Sequence, residues 1–173
     1  ALASGCSVIL KAAPDTPWSA TMLGRIVKES TDIPPGVFNV LTAEDPVSLG
    51  EQLVKDPRVD MISFTGSTIV GKRVMALASE SVKKVFLELG GKSANIILDD
   101  SDLSQSLLSS LAVCFHAGQG CAIHTRLLIP KSRRDEIESL LQTYFGYIEY
   151  GDPMSETQIM GPLINARQRD RVL

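Results

Sequence analysis

The stretch that decides the fold is residues 61–68, Met-Ile-Ser-Phe-Thr-Gly-Ser-Thr, in which an apolar run ends in a short polar turn. The run Met61–Phe64 has the length and apolar character of a buried strand. Gly66 lets the backbone turn sharply after it, and a helix is predicted to start at once and to reach about Ser79. A strand that passes through a glycine turn into a helix is typical of a βαβ unit.

The same alternation of strand and helix extends on both sides of this stretch. The predicted elements are strand 7–10, helix 17–29, strand 37–41, helix 48–55, strand 61–64, helix 68–79 and strand 84–89. Strands that alternate with helices in this way require a parallel sheet with helices on its faces. The predicted class is therefore α/β, with a parallel Rossmann-like sheet and flanking helices.

Gly90-Gly91 breaks this pattern and is the predicted boundary between residues 1–89 and residues 90–173. The second part is also predicted to be α/β. The elements expected there are strand 95–98, helix 103–116, strand 125–129 and helix 132–144. The predicted helix N-caps are Thr16, either Asp100 or Ser101, and Ser132 as part of a capping box.

Composition excludes several classes of function. The chain of 173 residues has a net charge of -3 and no basic run, so nucleic acid is not an expected partner. No apolar stretch has the length of a membrane span. The three cysteines show no framework or zinc spacing, which favours a reducing compartment such as the cytoplasm. Both chain ends resemble elements cut in the middle, so a longer protein is expected.

Residues 66–73, Gly-Ser-Thr-Ile-Val-Gly-Lys-Arg, nearly match the P-loop pattern. Arg73 stands where a P-loop needs a hydroxyl group to hold magnesium, so nucleoside triphosphate hydrolysis is not favoured. Two other interpretations are equally open. The helix N-terminus after Gly66 could attract a pyrophosphate, or the turn could simply start a well-packed helix.

Two further positions could carry chemistry. Glu88 ends an apolar strand, where a carboxylate could act as a general base or simply face water. Cys121 follows the glycine loop Gly118-Gln119-Gly120, in which free backbone N–H groups could hold an oxyanion. A buried and inert cysteine is the structural alternative. His116, His124 and Cys114 are interpreted as structural residues.

Taken together and in order, these segments resemble the aldehyde dehydrogenase superfamily over essentially the whole chain. The segments that carry the resemblance are Leu2–Lys11, Pro34–Val40, Phe64–Thr68, Leu87–Lys92, Gly118–Cys121, and the two loops Gly151–Pro153 and Gly161–Ile164. The resemblance implies the second part of an NAD(P)-binding domain at residues 1–89. It implies the first part of a catalytic domain at residues 90–173.

The resemblance also implies a reaction, in which an aldehyde is oxidised to a carboxylic acid with NAD or NADP. Cys121 would be the nucleophile and Glu88 the base that activates water. The implied cofactor-binding residues are Lys11, Ala13, Pro14, Phe64, Thr65, Gly66, Ser67, Val70, Leu89 and Gly90. The full-length enzyme would be a homo-oligomer, either a dimer or a tetramer. This chain alone is expected to be inactive, and a non-catalytic dinucleotide-binding or structural role is the alternative.

Two departures from the family pattern affect the choice of cofactor. Pro14 stands where the family commonly has a glutamate that binds the ribose 2′-hydroxyl and repels a 2′-phosphate. Ile69 stands where an acidic residue is frequent. The change at residue 14 makes NADP more plausible than usual, whereas Ile69 removes one negative charge near the pyrophosphate. NAD and NADP remain alternatives.

Overall fold

Six short strands form three separate two-stranded sheets in the computed structural model, which describes residues 1–173. β1 pairs with β2, β3 with β4, and β5 with β6. The first and third pairs are parallel. The strands are β1 (Val8–Lys11), β2 (Phe38–Leu41), β3 (Met61–Gly66), β4 (Lys84–Leu89), β5 (Ser93–Ile96) and β6 (His124–Leu128).

Helices connect these strands. They are α1 (Pro17–Ser30), α2 (Pro46–Lys55), α3 (Thr68–Ala78), α4 (Leu103–Ser106), α5 (Arg134–Gly146) and α6 (Ala166–Val172). Short 3-10 segments lie at Leu2–Ser4, Ser79–Ser81 and Lys131–Arg133, and a longer one at Leu107–Gly118. The predicted α/β class, with parallel strands and flanking helices, is confirmed.

The strands β1 and β2 are parallel, so the chain has to return from the end of β1 to the start of β2, and a helix makes this connection. The register of the two strands runs from Val8 opposite Phe38 to Lys11 opposite Leu41, and α1 connects them. Gly24 lets α1 lie close to β2, because a Cβ there would be only 3.1 Å from Cγ2 of Val40. The carboxyl ends of both strands therefore open on the same edge.

The chain divides into two compact units, Ala1–Glu88 and Leu89–Leu173. Each unit has its own apolar core. In the first unit, Val54, Val74 and Ala78 are buried beneath half-buried side chains of β3 and β4. The second core contains Ile97, Leu103, Leu107 and Ile137, of which Leu107 and Ile137 are fully buried.

One predicted helix cap was confirmed in position and two were wrong. Thr16 is the N-cap of α1, with proline at the first helical position, although its side chain makes no capping bond. Asp102, rather than Asp100 or Ser101, caps α4. Ser132 caps no helix, because its hydroxyl bonds to Asp99 and α5 begins after Arg133.

The long helix predicted at 103–116 was also partly wrong. Only α4 is α-helical, and the chain continues as a 3-10 segment that loses helical geometry at Phe115. His116 and Ala117 then adopt positive φ angles of 53° and 52°. Residues with a Cβ disfavour this left-handed region. The spacing of apolar residues that predicts a helix gives no sign of the break.

The outer surface of α1 carries an apolar stripe. Trp18 is 86% exposed, and Met22 and Ile26 are about half exposed. These residues are spaced by four positions and therefore lie on one face of the helix. None of the helices combines the length and apolar character needed to cross a membrane.

Candidate active site

A pocket of about 440 Å³ opens at the carboxyl ends of β1 and β2. Ligands of open α/β sheets bind at this edge, where the loops after parallel strands diverge. The structure thus brings the predicted residues Ala13 and Pro14 together with the loop after β2. The lining residues are Ala12, Ala13, Pro14, Pro17, Thr42, Ala43, Glu44 and Pro46.

Lys11 is the last residue of β1, immediately before this pocket. Its Nζ donates a hydrogen bond of 3.1 Å to the carbonyl oxygen of Ala12. The side chain passes Gly50 of α2, where an added Cβ would lie 3.6 Å from Cε of Lys11. Lys11 does not itself line the pocket, but its ammonium group bonds to Ala12, which does.

Glu44 is a pocket residue that the sequence reasoning missed. Lys11 pairs with Leu41 at the ends of the two parallel strands. The loops that follow these two residues therefore start side by side, which brings Glu44 to the pocket. A pairing of the two predicted strands could have revealed this neighbour. It adds a negative charge to the pocket in which Pro14 replaces the family's glutamate.

The turn after β3 has the geometry of an anion site. Ser67 is the N-cap of α3, and its Oγ accepts a hydrogen bond of 3.3 Å from the amide of Val70. The preceding amides of the first turn, at Thr68 and Ile69, have no intrahelical acceptor. Together with the helix dipole they favour a negative group beside the turn.

Gly66 is required at this turn for steric reasons. A Cβ on residue 66 would lie 2.5 Å from Cζ of Phe64, so the aromatic ring packs directly on the glycine. Thr65, Ser67 and the side chain of Val70 are exposed around it. The predicted residues Phe64 to Ser67 and Val70 therefore form one local group.

The P-loop alternative does not fit this geometry. A P-loop wraps a phosphate in a long loop before its helix, whereas residues 68–71 are already the first turn of α3. Gly71 is buried inside that helix. The guanidinium of Arg73 forms an ion pair with Glu51 of α2, which lowers the pKa of that carboxyl.

Glu88 lies on the exposed side of β4, one residue before the strand ends. Leu89 is half-buried, and Gly90 follows in an open loop where an added Cβ would touch nothing within 4 Å. The carboxylate of Glu88 is thus accessible to water at a strand end, which is compatible with both interpretations of this residue.

Cys121 is exposed in the loop between the 3-10 segment and β6. His116, Ala117 and Gly118 form a run of three left-handed residues shortly before it, with φ angles of 53°, 52° and 72°. Strained backbone of this kind concentrates at functional loops. Cys121 is therefore an accessible thiol beside an unusual backbone segment rather than a buried one.

The other candidate side chains near this loop are less suited to chemistry. Cys114 is half-buried, and burial raises the pKa of its thiol, which disfavours the reactive thiolate. His124 is the first residue of β6, where it pairs with Ser93. No cluster of three or more His, Cys, Asp or Glu side chains has an arrangement that could hold a metal ion.

Gln119 belongs to the segment Gly118–Cys121 that carries the resemblance, but the sequence predicted no role for its side chain. Its Nε2 donates to the carbonyl oxygen of His116 at 3.0 Å, and its Oε1 accepts from the amide of Ile164 at 3.0 Å. The two partners are 48 residues apart along the chain, by the difference of their numbers. The side chain therefore connects the cysteine loop to the segment around Ile164.

Comparison with known proteins gives the family of the chain. Residues 1–173 match the aldehyde dehydrogenase family. The 3-succinoylsemialdehyde-pyridine dehydrogenase of a Pseudomonas species is 43% identical over 99% of this chain, which spans 36% of that relative's length.

Solved structures show the same fold. A crystal structure of aldehyde dehydrogenase C from Pseudomonas syringae, a Cys-to-Ala variant in complex with NAD+ and octanal, matches 99% of this chain and 35% of its own with a TM-score of 0.94 and 38% identity. The crystal structure of an E. coli NADP dependent enzyme matches the same shares with a TM-score of 0.93 and 37% identity. The chain belongs to the aldehyde dehydrogenase family, and it spans about a third of the length of these relatives.

Proposed function

We propose that the protein containing this chain is an NAD(P)-dependent aldehyde dehydrogenase that oxidises an aldehyde to a carboxylic acid. The observation that carries this proposal is the exposed Cys121 behind a left-handed loop, in a chain that matches the family from end to end. The Pseudomonas syringae neighbour supports it, because NAD+ and an aldehyde were captured together in a variant that had lost a cysteine.

The residues of the first unit suit a dinucleotide. The pocket at the ends of β1 and β2 would hold the adenosine, with Lys11 near its ribose, and the amides after Gly66 would face the pyrophosphate. Leu89 and Gly90 are proposed to approach the nicotinamide. When bound, NAD(P)+ accepts a hydride from the substrate carbon.

The protein's own groups would carry the remaining steps. The thiolate of Cys121 attacks the aldehyde carbon, a C–S bond forms, and a backbone N–H beside Cys121 stabilises the oxyanion. Loss of hydride leaves a thioester on Cys121. Glu88 takes a proton from water, the water oxygen attacks the thioester carbon, and the C–S bond breaks to release the acid and the thiolate.

We assign the two compact units to the two halves of this chemistry. Residues 1–89 are proposed to be part of the NAD(P)-binding domain, and residues 90–173 part of the catalytic domain. The two compact units, Ala1–Glu88 and Leu89–Leu173, divide one residue before that boundary. The full-length enzyme is proposed to be a homodimer or homotetramer. The free cysteines support a reducing compartment, and we propose the cytoplasm.

The test is turnover of the full-length protein and two variants with a panel of aldehydes. Cys121→Ala is expected to lower kcat by about three orders of magnitude or more, since it removes the nucleophile. Glu88→Gln is expected to keep a rapid first burst of NAD(P)H and to lose about 10²-fold or more in steady turnover, because it lacks the base for hydrolysis.

Cys6→Ala provides the matched control, because Cys6 is also exposed but lies outside the proposed site. It should leave turnover unchanged. Undiminished turnover in Cys121→Ala would exclude the proposed mechanism. Binding of NAD(P) by a full-length protein that oxidises no aldehyde would instead support the non-catalytic alternative.

A further inference from the structure

We infer that Gln119 is a positioning residue that sets the place of the Cys121 thiol by clamping its loop to the segment around Ile164. This inference rests on the proposed role of Cys121 as nucleophile. The clamp is the pair of hydrogen bonds from the Gln119 carboxamide, one donated to the carbonyl oxygen of His116 and one accepted from the amide of Ile164, both at 3.0 Å.

The backbone at His116 and Ala117 needs contacts from other residues to keep its conformation. His116 and Ala117 both have left-handed φ angles although both carry a Cβ, and Gly118 continues in the same region. Such a conformation persists only where surrounding contacts over-determine it. The carbonyl of His116 accepts from the backbone amide of Gln119 at 3.1 Å as well as from its side chain. Gln119 therefore bonds twice to the first residue of the left-handed run.

The second bond of the clamp connects the loop to Ile164. Ile164 belongs to an irregular segment that begins after an isolated bridge between Tyr150 and Met160 and ends where Asn165 caps α6. The bond from its amide to Oε1 of Gln119 spans 45 residues of sequence. Cys121 lies two positions after Gln119, so a shift of the clamp moves the thiol directly.

The carboxamide of Gln119 satisfies both partners because it carries a donor and an acceptor. His116 offers a carbonyl acceptor and Ile164 an N–H donor, and the side chain between them must donate to one and accept from the other. A carboxylate at residue 119 would accept from Ile164 but face the carbonyl of His116 with an oxygen. A thioether of similar length would satisfy neither partner.

The packing around Cys121 is consistent with a loop whose path is tightly fixed. A Cβ added to Gly118 would lie 3.2 Å from the carbonyl oxygen of Val113, and one added to Gly120 would lie 2.7 Å from Cδ1 of Ile123. Residues on both sides of Gln119 thus run close to their neighbours. A displaced loop has little room to restore the thiol position by local adjustment.

The experiment measures kcat and KM of the full-length enzyme with Gln119→Met and Gln119→Glu, together with the rate at which iodoacetamide alkylates Cys121. Both variants are expected to lower kcat by about 10- to 100-fold, because a displacement of about 1 Å can cost that much. The KM for NAD(P) should stay within about twofold, since the proposed cofactor residues are untouched.

Alkylation of Cys6 in the same samples is the internal reference, and Gln142→Met on the exposed face of α5 is the matched control. The ratio of Cys121 to Cys6 alkylation should change in both Gln119 variants and stay constant in Gln142→Met. If Gln119→Met does not fold, Gln119→Glu decides, since it keeps the size and the acceptor for Ile164.

Wild-type kcat and an unchanged alkylation ratio in either folded Gln119 variant would overturn the clamp. So would a loss of kcat matched by an equal loss in Gln142→Met. The two proposals fail in different ways. Turnover by Cys121→Ala would contradict the proposed function. An inactive Cys121→Ala together with a fully active Gln119→Met would contradict the clamp alone.

Discussion

The charge of the pocket at the ends of β1 and β2 depends on a few residues. Glu44 lines the pocket and contributes a negative group, while Pro14 contributes none. The ammonium group of Lys11 bonds to the carbonyl oxygen of the lining residue Ala12. By the family resemblance, Pro14 would favour NADP, because a glutamate there would repel a 2′-phosphate. Glu44 would act in the opposite direction if this pocket holds the adenosine, because it places a carboxylate there. The balance between NAD and NADP should therefore depend on residue 44.

Glu44→Gln is expected to raise the ratio of kcat/KM for NADP to that for NAD by about fivefold. A pair of charges in contact in water interacts by about 1 kcal/mol, which corresponds to a change of that size. Steady-state kinetics of the full-length enzyme with both cofactors, at low salt, measures the ratio. Glu80→Gln is the control, because Glu80 is an exposed carboxylate outside the pocket. An unchanged ratio in Glu44→Gln would show that residue 44 does not discriminate.

The sequence indicates some site residues and conceals others for a physical reason. Cys121 and Glu88 can be named because each belongs to a short motif, and their roles stay predictions. Gln119 and Glu44 gain their meaning from partners elsewhere in the chain, namely the amide of Ile164 and the loop after β1. A one-dimensional pattern does not contain such pairings. Strand register or a complete backbone is needed to find them.

Among the elements, strands were easier to predict than helix ends. Each predicted strand was found within about two residues, because an apolar run bounded by turn residues leaves few alternatives. Helix starts depend on which of several neighbouring polar residues actually turns back to the first amides. Asp100, Ser101 and Asp102 are all competent caps by type, and only Asp102 bonds to the start of α4. The left-handed break after Phe115 carried no periodic signal at all.

The cap of α4 predicts a pH dependence. The amide and the hydroxyl of Ser104 donate to Oδ1 of Asp102 at 2.9 and 2.7 Å, which lowers the pKa of this carboxyl below its ordinary value of 3.8. The stabilisation from the charged cap is therefore fully present above that ordinary value and is lost as the pH falls through the lower folded value. Asp102→Ala should lower the free energy of unfolding at neutral pH and progressively less in acid.

Urea denaturation of the chain and of Asp102→Ala, followed by circular dichroism from about pH 6 to about pH 2, measures this difference. Asp100→Ala serves as the control, since Asp100 is an exposed neighbour that does not cap the helix. A difference between Asp102→Ala and the unsubstituted chain that stays constant over the whole pH range would contradict the assignment.

For the whole molecule, the central fact is that the chain spans about a third of the length of its relatives and still matches their fold over 99% of its residues. Each unit has its own small core. Short cores built from neighbouring strands and helices explain why the α/β class was recognisable from sequence. The pairing of the strands into three separate two-stranded sheets could not be predicted. Apolar periodicity and strand propensity do not say which strands are neighbours.

The chain of 173 residues should bind NAD and NADP weakly and oxidise no aldehyde by itself. The pocket and the turn after β3 provide only part of the contacts that a dinucleotide needs, and a dissociation constant of about 1 mM or more is expected, equivalent to about 4 kcal/mol. Isothermal titration with each cofactor measures it, and the full-length protein is the comparison. Tight and saturable binding by the chain alone would show that the first unit already forms a complete site.

The apolar stripe on α1 gives this chain an optical property. Trp18 is its single tryptophan and is 86% exposed, so the intrinsic indole emission of the chain reports on the α1 surface. Any additional chain segment or second subunit that covers α1 would move Trp18 out of water. Its emission would then shift to shorter wavelength and become protected from a soluble quencher, so assembly on this surface can be followed without a label.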